Sequence, residues 1–124
     1  MKHYIIAKFK DRNDTEKFLP DITALFNKTL KLEGVEDVVI HKTNSTRENR
    51  YSIMIEMTVT PEGLENYDKS EAHKYWKSTY GDRLESKAIF DCEEGLGRAW
   101  YPYICYNLSQ YGKSIRIGII FCPL

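Results

Sequence analysis

His3-Tyr4-Ile5-Ile6-Ala7-Lys8-Phe9-Lys10 has the β-branched and aromatic composition of a strand. Side chains alternate along an extended chain, so His3, Ile5, Ala7 and Phe9 share one face and Tyr4, Ile6, Lys8 and Lys10 the other. Large apolar groups stand on both faces. A strand of this kind belongs inside a layered domain with material packed against each side of its sheet.

After this strand, Asp11 to Asp14 read as a turn with helix-capping residues, and Phe18, Ile22, Leu25, Phe26 and Thr29 follow at helical spacing. Proline is tolerated in a first turn, where its missing N–H has no helical partner to lose, so Pro20 places the start of the regular helix near Leu19. Gly34 reads as its stop. Val35 to Lys42 make a second strand, the polar run Thr43 to Arg50 a loop, and Tyr51 to Val59 a third strand. Thr60-Pro61-Glu62 supplies an N-cap hydroxyl, a proline at the first helical position and an acid facing the positive end of the dipole, predicting a short helix to about Asp68. Ser70-Glu71-Ala72-His73 opens another through Tyr75, Trp76 and Tyr80, interrupted by Gly81, and Lys87 to Cys92 form a fourth strand.

The order is strand, helix, strand, strand, helix, strand. It describes an α+β chain: a ferredoxin-like protomer with a four-stranded antiparallel sheet and helices on one face. One sheet face is left uncovered. Because the first and third strands are apolar on both sides, that face is expected to meet the same face of a second copy, giving a homodimer closed as a dimeric α/β barrel.

With 124 residues, the chain fits one domain, and its 18 basic and 18 acidic side chains cancel. A neutral chain gives no electrostatic reason to expect nucleic acid or an anionic membrane as partner. No run approaches the roughly 20 apolar residues of a membrane-spanning helix, and Met1-Lys2-His3-Tyr4 lead into a strand, so the expectation is a cytoplasmic protein. Cys92, Cys105 and Cys122 lack CxxC spacing and read as reduced thiols. All 18 acidic residues precede Gly95, whereas residues 98–124 carry only Arg98, Lys113 and Arg116 as charges. The domain is therefore expected to span 1–93, followed by an aromatic-rich extension over 94–124. Ser114 to Phe121 have strong strand propensity, so the extension adds an edge strand, packs on the barrel or lies outside the native fold.

Several segments together resemble one family: Lys2 through Lys10, Gly34-Val35-Glu36-Asp37-Val38, Tyr67 through His73, and Ile89-Phe90-Asp91. In this order they resemble the stress-responsive dimeric α/β-barrel (Dabb) domains. The resemblance covers residues 1 to about 93 and implies a ferredoxin-like protomer whose sheet pairs with another. It also implies a range of roles, from proteins of unassigned activity to a plant polyketide cyclase that closes an aromatic ring without metal or cofactor. That cyclase works with the tyrosine and histidine of a Tyr-x-x-x-x-x-His motif, which Tyr67 to His73 keep, and His3 matches a pocket histidine of its first strand. Two departures bear on the substrate. Ser70-Glu71-Ala72-His73 stand where the family often reads His-Pro-x-His, and Ile53 stands at a position where the cyclase has a polar residue.

The chemistry can also be read from the residues. A histidine titrates near neutral pH, so His73 can act as a general base, and the Tyr67 hydroxyl can donate to a carbonyl oxygen that gains charge as an enolate forms. Alternatively, Tyr67 anchors the helix and His73 orders the loop. His3 reads as a hydrogen-bonded core histidine and His41 as exposed, while His3, His41 and His73 have no metal-ligand spacing. Tyr75, Trp76 and Tyr80 close the core or a pocket mouth. Two functions follow. One is a binding module whose apolar cavity, lined by Ile5, Ala7, Ile53, Ile55 and Met57, holds a small aromatic or acyl ligand or is simply filled. The other is a cofactor-independent enzyme acting on a polyketide-like or β-dicarbonyl substrate, with His73 as base and Tyr67 as donor. No haem ligand is marked for the monooxygenases that share this barrel.

Overall fold

The computed structural model describes residues 1–93. The expected strand within Ser114 to Phe121, Cys105, Cys122 and the aromatic extension lie outside the described residues. The elements are β1 (Lys2–Phe9), α1 (Asn13–Asn27), β2 (Val35–Lys42), β3 (Ile53–Val59), α2 (Pro61–Asp68), α3 (Glu71–Tyr80) and β4 (Leu84–Cys92). They form one four-stranded sheet in the order β2-β3-β1-β4, antiparallel at every pairing, as expected for a ferredoxin-like protomer.

β1 and β3 occupy the centre, and the alternation read from β1 appears as alternating burial on both. His3, Ile5 and Ala7 lie opposite Met57, Ile55 and Ile53, and these residues, with Phe9 and Val59, face the helices. Ile22, Leu25 and Phe26 of α1, Tyr67 of α2, and Trp76 and Tyr80 of α3 complete the core. Phe26 meets Trp76 edge to face at 5.4 Å, and Trp76 meets Tyr80 at 5.5 Å, favoured arrangements for aromatic pairs. Tyr75 points away and is 53% exposed, so only part of the expected aromatic cluster closes the core.

The start of α1 differs from expectation. Proline was read as confining the regular helix to residues from about Leu19, but α1 runs from Asn13 with Pro20 inside it. Removing one helical hydrogen bond and crowding the preceding turn costs about 3 kcal/mol in isolation. Two features offset that cost. Pro20 is on the solvent side, where water can reach the carbonyl left without a partner. Thr15, Ile22, Leu25 and Phe26 extend the buried stripe on both sides of it, so packing fixes the helix through the proline. The Asp11 carboxylate accepts the Asn13 N–H at 3.0 Å at the entrance.

A backbone crossing positions α2. After α1 the chain makes a 3₁₀ turn over Lys28–Lys31 and bends into β2 through Gly34, whose φ is +89°. The Gly34 carbonyl accepts the Thr60 N–H at 2.8 Å, and the Thr60 hydroxyl caps α2 by accepting the Gly63 N–H at 2.9 Å. A Cβ on Gly63 would lie 2.1 Å from that same Gly34 oxygen. Gly63→Ala is therefore expected to cost about 3 kcal/mol, the upper end for an overpacked site. Gly81→Ala, with open space around its position, should be neutral or stabilising by up to about 1 kcal/mol. Denaturant unfolding of the two variants checks the contrast, and equal stabilities would mean that the crossing can open without loss.

Candidate functional site

α2 ends and α3 begins around a single hydroxyl. Ser70 is the N-cap of α3; its Oγ accepts the His73 N–H at 3.1 Å and donates to the Tyr67 carbonyl at 2.6 Å. Tyr67 lies in the last turn of α2 and His73 in the first turn of α3, so this one side chain ties the two backbones together. Their rings come within 4.9 Å between centroids. The six-residue separation, which by itself guarantees no convergence, is closed by the cap.

Tyr67 and His73 line one cavity of about 360 Å³ between the helices and the sheet, together with His3, Ile5, Leu64, Trp76, Ile89, Asp68, Asp91, Lys77 and Lys87. Of the residues expected in an apolar pocket, His3 and Ile5 are here. Ala7, Ile53, Ile55 and Met57 do not line this cavity; they are at most 2% exposed and belong to the packed core. The reason is positional: they belong to the core shared with buried side chains of α1, α2 and α3, whereas the cavity takes its strand lining from His3 and Ile5 of β1 and from Lys87, Ile89 and Asp91 of the edge strand β4. The lining is consequently mixed. Ile5, Leu64, Trp76 and Ile89 supply apolar wall, and charged groups come from α2, α3 and β4.

Tyr67 is 1% exposed, and its hydroxyl has no hydrogen-bond partner among the described residues. An unsatisfied buried hydroxyl costs about 1–3 kcal/mol, and native structures seldom tolerate one without a reason. Burial, reinforced by the nearby Asp68 charge, pushes the phenol well above its usual pKa. It therefore stays protonated at neutral pH and remains a donor seeking an acceptor.

Each histidine has one nitrogen committed. His73 Nδ1 lies 2.9 Å from the Asp68 carbonyl oxygen. A carbonyl only accepts, so Nδ1 carries the proton and Nε2 is the basic nitrogen of the neutral ring. His3 is buried at 6% exposure, 5.9 Å from the Tyr67 ring, and its Nδ1 lies 2.5 Å from Asp91 Oδ1. A carboxylate on one ring nitrogen fixes the tautomer and the orientation of the ring, as the orienting acid does in acid–base catalysis. Sequence reading placed His3 but missed Asp91. The signal was available in β4, where Lys87, Ile89 and Asp91 alternate onto the side that meets Ala7, Ile5 and His3. His41 stands apart on the opposite sheet face, with Nε2 2.8 Å from Glu56 Oε1. Among the described residues no group of three or more His, Cys, Asp or Glu side chains could hold a metal ion, and no helix is long and apolar enough to cross a membrane.

No family model matches the chain, and no curated protein matches it in sequence. Its relationships are visible in the fold. A protein of Arabidopsis thaliana superposes with a TM-score of 0.63 at 20% identity, covering 78% of this chain and 97% of that one. A Dabb family protein with a ferredoxin-like fold from Mesorhizobium loti gives 0.59 at 16% identity, covering 77% and 96%. The fold is the ferredoxin-like one of that Dabb family protein. A dimeric ferredoxin-like protein of unknown function from a Jannaschia species gives 0.62 at 13% identity, covering 74% and 96%. At these identities the likeness is one of architecture, and the chemistry of the cavity rests on this chain's own residues.

Tyr67→Phe removes a hydroxyl that nothing in the described residues satisfies. It should leave stability unchanged or raise it by up to about 1 kcal/mol, since a desolvation cost disappears with no bond lost. Chemical denaturation measures this directly, and a loss above about 1 kcal/mol would reveal a structural partner for the hydroxyl.

Proposed function

We propose that residues 1–93 form a homodimeric Dabb-type domain whose helix–sheet cavity binds a small aromatic or acyl molecule through a carbonyl or similar oxygen at Tyr67. The observation that carries the reading is the buried, unpartnered Tyr67 hydroxyl in a cavity shared with two histidines. A ligand oxygen would supply the missing acceptor, and the apolar wall from Leu64, Trp76 and Ile89 suits an aromatic or acyl body. Benzoylacetone, an aromatic β-dicarbonyl, is expected to bind and raise the melting temperature, with Tyr67→Phe losing that shift while remaining folded. Failure of aromatic and acyl carbonyl compounds to bind the wild-type chain would overturn the reading.

A second reading, acid–base catalysis without a cofactor, is supported by the His73 tautomer. With Nδ1 held by the Asp68 carbonyl, Nε2 can accept a proton from the carbon beside a carbonyl while Tyr67 donates to the oxygen. Exchange of the acetophenone methyl protons for deuterium, followed by NMR, tests it. His73→Ala should slow catalysed exchange by about 100-fold or more. Exchange no faster with the protein than in buffer would leave the cavity as a binding site alone.

The homodimer is supported by the sheet face turned away from the helices. Ile6, Val39, Met54 and Phe90 stand on it; Val39 is 38% exposed and Phe90 58%. A protomer that leaves such a face open gains by covering it with a second copy. Phe90→Glu is expected to shift the molecular mass in sedimentation from dimer to monomer, and an unchanged mass would place the contact elsewhere.

A further inference from the structure

We propose that the ligand of this cavity is an anion, a small aromatic or acyl acid whose carboxylate or phosphate is held at the mouth by Lys77 and Lys87. The inference rests on the reading of the cavity as a binding site and specifies what that site takes.

The two lysines reach the cavity from opposite layers. Lys77 lies one helical turn beyond His73 on α3, so it stands on the same side of that helix. Lys87 lies opposite Ala7 on β4, on the face of the sheet that otherwise carries core residues and, further along, Ile89 and Asp91. Both side chains line the cavity and both residues are exposed, which places their ammonium groups at its opening. Other strand lysines are matched by acids: Lys8 pairs with Glu85 at 3.3 Å and Lys42 with Glu16 at 2.5 Å. Among the described residues no hydrogen bond or ion pair engages the ammonium of Lys77 or Lys87.

Two carboxylates also line the cavity, balancing the lysines in formal charge, but among the described residues neither forms an ion pair with Lys77 or Lys87. Asp91 is already engaged by His3 Nδ1, and Asp68 holds His73 through its backbone carbonyl, so both residues are committed to the histidine side of the cavity and not to the lysines at its mouth. Two ammonium groups without an acid partner at one concave opening, beside low-dielectric walls, offer an anion a pairing that the cavity's own carboxylates do not take up. An acidic group between the lysines completes their pairing. The same molecule's apolar body then meets Trp76 and Ile89, and an oxygen satisfies Tyr67, whose buried hydroxyl is the independent sign that the cavity receives a polar ligand.

Titration of the full chain with 2-naphthoate, 2-naphthyl phosphate and the neutral methyl 2-naphthoate tests the assignment. At least one anion should bind more tightly than the ester, and the preferred anion identifies the group. Lys77→Gln/Lys87→Gln, which keeps much of each aliphatic stem, should weaken anion binding roughly tenfold, as expected for two partly solvated ion pairs, and leave the ester unchanged. Added salt should erode the anion preference in the wild type. Lys69→Gln/Lys74→Gln, which alters lysines outside the cavity lining, should bind as the wild type does. Ester and anions binding equally, with Tyr67→Phe reducing both, would overturn the anion assignment and leave the cavity reading standing. No binding of any of the three would overturn both.

Discussion

Gly34 and Gly63 meet backbone to backbone, and the position of the cavity follows from that contact. The Gly34 carbonyl both accepts the Thr60 N–H and lies where any side chain on Gly63 would have to be. The bend into β2 and the first turn of α2 are therefore locked together at the end of the sheet, with no room for adjustment. From this fixed start, α2 extends to Tyr67, and Ser70 hands the chain on to α3 with His73 in its first turn. A site made from the end of one helix and the start of the next is as well defined as the crossing that anchors them.

At that site the energetics are the support for the proposed binding role. For packing alone, a phenylalanine would gain the same burial without leaving a hydroxyl unsatisfied. Here the phenol is buried, kept protonated, and surrounded by two histidines whose Nδ1 atoms are held by oxygen acceptors. A structure that bears a cost of about 1–3 kcal/mol at one side chain is commonly one that recovers it when a ligand arrives. The helices cover one sheet face and create this cavity. The other face carries Ile6, Val39, Met54 and Phe90, so the proposed ligand site and the proposed self-association lie on opposite sides of one sheet.

Much of this was legible in the sequence because it depends on local periodicity. Alternation in β1, the Thr60-Pro61-Glu62 start and the Ser70 cap are short-range signals, and the elements they mark are present. Tyr67 and His73 were recognisable as a spaced pair, although their convergence depends on what the Ser70 hydroxyl bonds, which spacing alone does not reveal. The errors came from long-range packing. Pro20 was read by its local cost, while a stripe spanning both of its sides kept the helix intact. Ala7, Ile53, Ile55 and Met57 were correctly inward-facing, but inward means core beneath the helices and cavity only toward the β4 edge. Asp91 required the register of β1 with β4, a pairing across nearly the whole domain.

On the proposed reading, the Tyr67 hydroxyl is held ready for an atom that is not the domain's own. A high-resolution crystal structure tests it through the electron density within about 3.2 Å of Tyr67 Oη, the reach of a hydrogen bond. The account expects an ordered water or a bound molecule's oxygen there, in a cavity still open between α3 and β4. A protein carbonyl or side chain bonded to Oη, with the cavity closed over it, would contradict the account and make Tyr67 a structural residue.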